Sequence, residues 1–151
     1  MPLTIALLCV PALLGTSLLA LVVRRSPQGY RAVYGISLAV SLLGLFAALS
    51  QLLAGAEPFH TVLPLGLPWL GAHLRIDALA AWFLLIANLG GAAASLFALG
   101  YGAHEPAPQR VLPFYPAFLA GMTLVVLADD AFTFLLSWEC MSLASWALVM
   151  A

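Results

Sequence analysis

Long apolar stretches dominate this chain of 151 residues and limit the folds that are open to it. Five of them are close to the length of about 20 residues that a helix needs to cross the hydrocarbon core of a bilayer. We predict transmembrane helices over residues 3–23, 32–54, 76–99, 111–128 and 131–151. The expected fold class is an all-α integral membrane protein with five transmembrane helices.

Charged side chains are too scarce to cover a soluble protein. They make up 7% of the residues, lysine is absent and the mean hydropathy is +1.10. In soluble domains about a quarter of the residues are charged. The scattered arginines do not form the basic patch of a nucleic-acid-binding protein. Cysteine and histidine show no metal-ligand spacing, so we expect no metal, no bound cofactor and no nucleic acid.

The segment 55–75 is the one long loop between the predicted helices. Its many proline and glycine residues prevent a helix, and apolar residues alternate between them, so we expect short strands folded back as a β-hairpin. Trp69 suits the membrane interface, where an amphipathic ring is favourable. The apolar face of this outer loop is expected to lie on the membrane surface or on a neighbouring subunit.

The distribution of arginine predicts the orientation in the membrane. Arg24, Arg25 and Arg31 lie between the first two predicted helices, and Arg110 lies between the third and the fourth. These two loops are on the same side of an alternating bundle, and only Arg75 falls on the other side. The positive-inside rule therefore places these two loops in the cytoplasm and the amino terminus outside.

Small residues recur on the third predicted helix. Gly90 and Ala94 are four residues apart, as are Gly91 and Ser95. Rows of this kind let helix backbones approach closely in lipid, where packing drives association. We predict that these four residues pack against another helix. A substrate channel lined by small residues is the alternative.

Most acidic residues stand at predicted helix ends. Asp77 opens the third predicted helix, and Asp129 and Asp130 open the fifth. Carboxylates at these positions accept hydrogen bonds from free backbone N–H groups and meet the positive end of the helix dipole. We therefore interpret all three as helix caps.

Glu139 is the exception, because it lies inside the fifth predicted helix. It follows the start of that helix by about eight residues, or roughly 12 Å. An ionised carboxylate in hydrocarbon costs about 2.5–3.5 kcal/mol, and such residues are usually functional. We predict that Glu139 carries protons, with Ser142, three residues further on, as a weaker participant. A structural glutamate bonded to another helix is the alternative.

A cationic partner for Glu139 is missing from the apolar stretches. The chain has no lysine, and its arginines all lie near the ends of predicted helices. If Glu139 belongs to a proton relay, its basic partner must therefore come from outside this sequence.

Two segments resemble a known family. LRIDALAAWF, from Leu74, and ADDAF with the following SWECMSLASW, from Ala128, resemble the third and fifth helices of the antiporter-like, proton-translocating membrane subunits of respiratory complex I. The ending SLASW is most similar to the hydrogenase-4 component B and formate hydrogenlyase subunit 3 type. The resemblance implies a fold of about fourteen helices with inverted repeats and an outward-facing hairpin. It also implies that Glu139 matches a helix-five glutamate whose lysine partner is in helix seven.

The resemblance implies that residues 1–151 are one membrane domain, the amino-terminal portion of such a subunit. The chain would then be a non-catalytic part of a redox-driven proton translocase, either an NADH–quinone oxidoreductase or a membrane-bound hydrogenase. Its partners would be the lipid bilayer and other membrane subunits, and its location the bacterial inner membrane. Two alternatives are a piece of a multisubunit cation/proton antiporter and a purely structural membrane subunit.

Overall fold

The computed structural model describes residues 2–23, 26, 28–55, 57–64, 69, 71–101 and 108–151. Six helices and two strands follow one another along this part of the chain: α1 (Pro2–Val23), α2 (Gly29–Ala54), β1 (Phe59–Leu63), β2 (Ala72–Ile76), α3 (Ala78–Tyr101), α4 (Pro108–Val111), α5 (Phe114–Leu127) and α6 (Ala131–Met150). Arg24 and Arg25, two of the arginines that predict the orientation in the membrane, lie outside the described residues, as do several residues between the two strands.

The helical class predicted from hydropathy is confirmed. Within the described residues, α1, α2, α3 and α6 are each long and apolar enough to cross a membrane. The predicted hairpin is also present: β1 and β2 pair antiparallel, from Phe59 opposite Ile76 to Leu63 opposite Ala72. The loop 55–75 therefore contains the short strands that its alternating apolar residues indicate.

The fourth predicted helix, 111–128, is shorter in the structure. The 14-residue α5, Phe114–Leu127, is about 21 Å long at 1.5 Å per residue, and Val111 ends the separate four-residue α4. Pro113 precedes α5, where a missing N–H costs no helical hydrogen bond. At the other end Ala128 is extended and forms a bridge with Leu74 of β2. The helix therefore ends within one residue of its predicted end, and the difference lies at its start, where Leu112 and Pro113 form a turn between α4 and α5.

The core consists of three clusters of buried apolar side chains along the bundle. One is at the hairpin end, one is in the middle and one is at the opposite end. Their buried members are, respectively, Leu3, Ala6, Ala48, Leu74, Ile76, Ala81, Leu84 and Leu127; Cys9, Val10, Leu13, Val40, Leu119 and Ala120; and Ala20, Tyr30, Val33, Tyr34 and Leu112. Helix α6 contributes to none of these clusters and lies beside α5.

Helices α2 and α3 approach closely because small residues line their contact. A Cβ atom at Gly44 would collide with the side-chain amide of Asn88, and a Cβ at Gly91 would lie 3.0 Å from Oγ of Ser41. Gly91 and Ser95 are both buried: Gly91 lies between Ser41 of α2 and Leu119 of α5, and Oγ of Ser95 lies 2.8 Å from the hydroxyl oxygen of Tyr115 in α5. The other two residues of the small-residue row, Gly90 and Ala94, are exposed in this chain and line an open groove between α3 and α5.

Candidate functional site

Helix α6 presents one side to α5 and the opposite side outward. Thr133, Ser137 and Ala144 are its buried residues. The contact with α5 is tight at Gly121, where a Cβ atom would lie 2.9 Å from the Cα of Met141. Glu139 lies on the side away from α5, and its side chain is exposed.

Ser142 shares the outer side of α6 with Glu139. Its side chain is exposed too, and Trp146, one turn further on, is 64% exposed. Residues three, four and seven apart lie on one face of a helix. Glu139, Ser142 and Trp146 therefore form a surface that the other described residues do not cover.

The Glu139 carboxylate has no hydrogen bond or ion pair with any described residue. None of the described arginines is paired with it: Arg31 lies in the first turn of α2, Arg75 lies in β2 and pairs with other carboxylates, and Arg110 lies in α4. The described part of the chain also holds no group of three or more histidine, cysteine or acidic residues that could bind a metal ion.

A second polar site lies where the hairpin meets the start of α6. We call it the junction cluster, and its members are His60, His73, Arg75, Asp77, Asp129 and Asp130. Nε of Arg75 lies 3.1 Å from Oδ1 of Asp129, and Nη2 of Arg75 lies 3.4 Å from Oδ2 of Asp77. Nδ1 of His60 lies 3.3 Å from the other oxygen of Asp129. These contacts join both strands to the segment between α5 and α6.

Two of the three predicted caps bond to the first turn of a helix. Oδ1 of Asp77 accepts a hydrogen bond from Ala80 N at 2.8 Å. Oδ1 of Asp130 accepts one from Thr133 N, also at 2.8 Å. Asp129 does not cap α6, because Asp130 occupies the cap position and the Asp129 carboxylate lies against Arg75 and His60.

Asp130 is the most strongly bound carboxylate of the junction cluster. Its Oδ2 accepts from Thr133 Oγ1 at 2.5 Å and from the backbone N–H of His73 at 2.9 Å. Hydrogen bonds from the side chain and backbone of Thr133, together with His73, hold the pKa of Asp130 at about 2, below its ordinary 3.8. Such bonds lower a carboxyl pKa because they favour the ionised form.

Known proteins of two kinds are similar to this chain in sequence, although no protein-family model matches it. Hydrogenase-4 component B of Escherichia coli is 32% identical over 117 residues, which cover 76% of this chain and 17% of that protein. NADH-quinone oxidoreductase subunit L of Mycobacterium tuberculosis is 31% identical over 93 residues, which cover 62% of this chain and 15% of that protein.

The backbone matches a solved structure as well. A chain of the membrane-bound sulfane sulfur reductase, an archaeal respiratory membrane complex, superposes with a TM-score of 0.72 and 26% identity, covering 91% of this chain and 21% of that chain. This chain belongs to the family of antiporter-like membrane subunits of respiratory and hydrogenase complexes. It spans about a sixth of the length of the curated relatives named above.

For this member of the antiporter-like family, the junction cluster is the polar site that sequence reasoning missed. Arg75 and Asp77 are two residues apart, so their ion pair could have been predicted from the sequence. The contact with Asp129 could not, because it depends on the hairpin folding back onto the segment that joins α5 to α6.

Proposed function

We propose that this chain forms part of a proton-translocating membrane subunit of a redox-driven complex and that Glu139 is its proton-carrying carboxylate. The observation that carries the proposal is the position of Glu139, about 12 Å into α6 and exposed on the side away from α5. A carboxylate at this depth is costly in lipid. It therefore needs a partner from another helix, and no side chain of the described residues occupies that position.

The family membership supports this assignment. Relatives named as subunits of NADH–quinone oxidoreductase and hydrogenase-4, and a neighbour from a respiratory membrane complex, are subunits of multisubunit assemblies. We infer that other membrane subunits of such a complex are the partners of this chain. Residues 1–151 would then be one membrane domain corresponding to the amino-terminal portion of a larger subunit.

Substitution of Glu139 tests the proton-carrying role. In membrane vesicles that contain the assembled complex, Glu139→Gln should lower the initial rate of proton translocation about 100-fold, because a positioned proton-transfer group contributes about 10²–10⁴-fold to a rate. Ser142→Ala should have a smaller effect. Cys140→Ser changes the next exposed position of α6 and serves as the control. Translocation at the wild-type rate in Glu139→Gln would favour a purely structural subunit.

We also propose an orientation, with the amino terminus and the hairpin outside and the opposite end in the bacterial cytoplasm. Arg31 and Arg110 have no acidic partner among the described residues, whereas Arg75, at the hairpin end, is paired with Asp77 and Asp129. The arginines without acidic partners are thus concentrated at one end of the bundle, as the positive-inside rule requires of a cytoplasmic face.

Cysteine labelling tests this orientation. In a Cys140→Ser background, an impermeant maleimide should reach cysteines at Ser26 and Gln109 only from the cytoplasmic side. A cysteine at Val62, which is 56% exposed on β1, should react only from the outside and serves as the matched control. The reverse pattern would overturn the orientation.

A further inference from the structure

The hairpin and α6 are joined through one carboxylate. Oδ1 of Asp130 bonds the first turn of α6 through Thr133 N, and Oδ2 bonds both Thr133 Oγ1 and the backbone N–H of His73 in β2. If β2 moved relative to α6, the Asp130 carboxylate would lose its hydrogen bond to His73 in β2 or its bonds to Thr133 in α6. Movement of β2 is therefore coupled to the amino end of α6.

Both backbone polar groups of His73 form hydrogen bonds with the segment that precedes α6. The C=O of His73 accepts from Asp129 N at 2.9 Å, and its N–H donates to Asp130. Backbone groups of alternate residues in a strand point to opposite edges, so those of His73 point away from β1. The neighbouring bridge between Leu74 and Ala128 continues the same pairing. Residues 128 and 129 thus pair with the edge of β2 that faces away from β1, and Asp130 follows them as the cap of α6.

A second contact holds α6 near its middle. Gly121 of α5 leaves so little space that its Cβ would lie 2.9 Å from the Cα of Met141. The attachment at Asp130 and the contact at Met141 together fix the rotation of α6 about its own axis. Glu139 lies between these two points, about 14 Å from Asp130 along the helix. The rotation of α6 therefore decides which neighbour the Glu139 carboxylate meets.

We propose that Asp130 is a positioning residue for Glu139, because its carboxylate ties α6 to β2 and thereby keeps Glu139 on the side away from α5. This inference rests on the proposed function, since a role in positioning matters only if Glu139 carries protons. The hydrogen bond from His73 N–H to Asp130 is the connection that transmits the position of the hairpin to the helix.

The pair His73→Pro and His73→Ala isolates this hydrogen bond. Proline removes the N–H donor, and a strand tolerates proline where the N–H does not serve the partner strand. Alanine keeps the N–H and removes the same imidazole. The two variants therefore differ in the bond to Asp130 while the pairing of β1 with β2 is retained.

Distances between two spin labels report the rotation of α6 directly. The full chain in lipid nanodiscs would carry labels at Ser142→Cys and at Leu43→Cys, an exposed position of α2, with Cys9 and Cys140 replaced by serine. A rotation of about 30° moves an atom about 5 Å from a helix axis by roughly 3 Å. We expect a change of this order, or a clearly broader distribution, in His73→Pro and none in His73→Ala.

Asp130→Ser is the second variant, and it removes the same hydrogen bond without introducing proline into β2. It therefore tests the contact even if His73→Pro does not fold. Serine caps helices well, but its shorter side chain does not reach His73 N–H. Helix content measured by circular dichroism should be unchanged, while the label distance changes as in His73→Pro. In the assembled complex, both variants should shift the pH profile of proton translocation, and His73→Ala should not.

The outcomes separate this inference from the proposed function. Unchanged label distances in both His73→Pro and Asp130→Ser would overturn the positioning role, whatever Glu139 does. Changed distances with an unchanged pH profile would also overturn it, provided that Glu139→Gln blocks translocation. If Glu139→Gln has no effect on translocation, the proposed function fails, and the positioning role fails with it.

Discussion

At the scale of single residues, the chain treats its carboxylates in opposite ways. Asp130 is held by three hydrogen bonds within the chain, whereas Glu139, on the same helix, has none with any described residue. The first arrangement stabilises this fold by itself. The second leaves a polar group at depth whose stabilisation must come from another part of an assembly.

Acid should therefore destabilise the chain through Asp130. The pKa of this residue is about 2 in the folded protein and about 3.8 when unfolded, so its ionised form stabilises the fold above about pH 4. That stabilisation is lost as the pH falls towards 2. The free energy of unfolding in detergent micelles, measured between pH 6 and pH 2, should show this loss.

Two variants check the assignment of this acid sensitivity. Asp130→Ala should lower the free energy of unfolding near neutral pH by about 0.5–2 kcal/mol, the usual cost of losing a helix cap, and should flatten the pH dependence between about 4 and 2. Glu57→Gln removes an exposed carboxylate outside the junction cluster and should retain the wild-type slope. Equal slopes in all three proteins would contradict the role of Asp130.

At the scale of elements, the contact between α2 and α3 depends on the absence of side chains. Gly44 lies directly against the amide of Asn88, whose Nδ2 donates to the carbonyl of Leu84 at 2.9 Å within α3. The amide cannot move away without breaking that bond. The absence of a side chain at Gly44 therefore lets the two backbones approach closely. It also leaves room for the buried Asn88 amide in its hydrogen-bonded position.

Gly44→Ala should destabilise the chain by about 1–3 kcal/mol, the cost of adding a methyl group to a filled contact. Gly35→Ala, on the same helix, is the matched control, because no atom lies within 4 Å of its added Cβ. It should be neutral or slightly stabilising. Unfolding by sodium dodecyl sulfate measures both. Adding Asn88→Ala to Gly44→Ala should recover part of the loss, and equal stability of the two alanine variants would contradict the proposed contact.

Hydropathy predicted most helices of this fold, because a span of about 20 apolar residues is a local property. It overestimated α5 at its start, where a turn at Leu112 and Pro113 separates α5 from α4. Asp129 was misassigned because its partner Arg75 comes from the hairpin, so that the contact joins residues far apart in the sequence. Glu139 was found because a carboxylate among apolar residues is visible in sequence, whereas the side of α6 on which it lies required the structure.

At the scale of the whole molecule, the long helices offer very little for moving a proton. Glu139 is their one carboxylate, and they contain no lysine or histidine. A path across a bilayer of about 30 Å needs several groups that exchange protons. This chain supplies at most one step of such a path.

Vesicles reconstituted with this chain alone should therefore show no proton flux above the lipid background. A pH-sensitive dye trapped inside the vesicles, with an imposed potassium diffusion potential, measures that flux. Protein-free vesicles and vesicles with Glu139→Gln are the controls. A flux that disappears in Glu139→Gln would contradict the expectation and would show that the isolated chain completes a pathway.

The two strands of the hairpin differ in how far their outer edges are free to pair with a further strand. One edge of β2 pairs with β1 along its length, and the other edge is paired at His73 and Leu74 with residues 128 and 129. Among the described strands, only the outer edge of β1 is left to recruit a further strand. A polypeptide that adds a strand of full length to this sheet would therefore align with Phe59–Leu63, on the side of β1 away from β2.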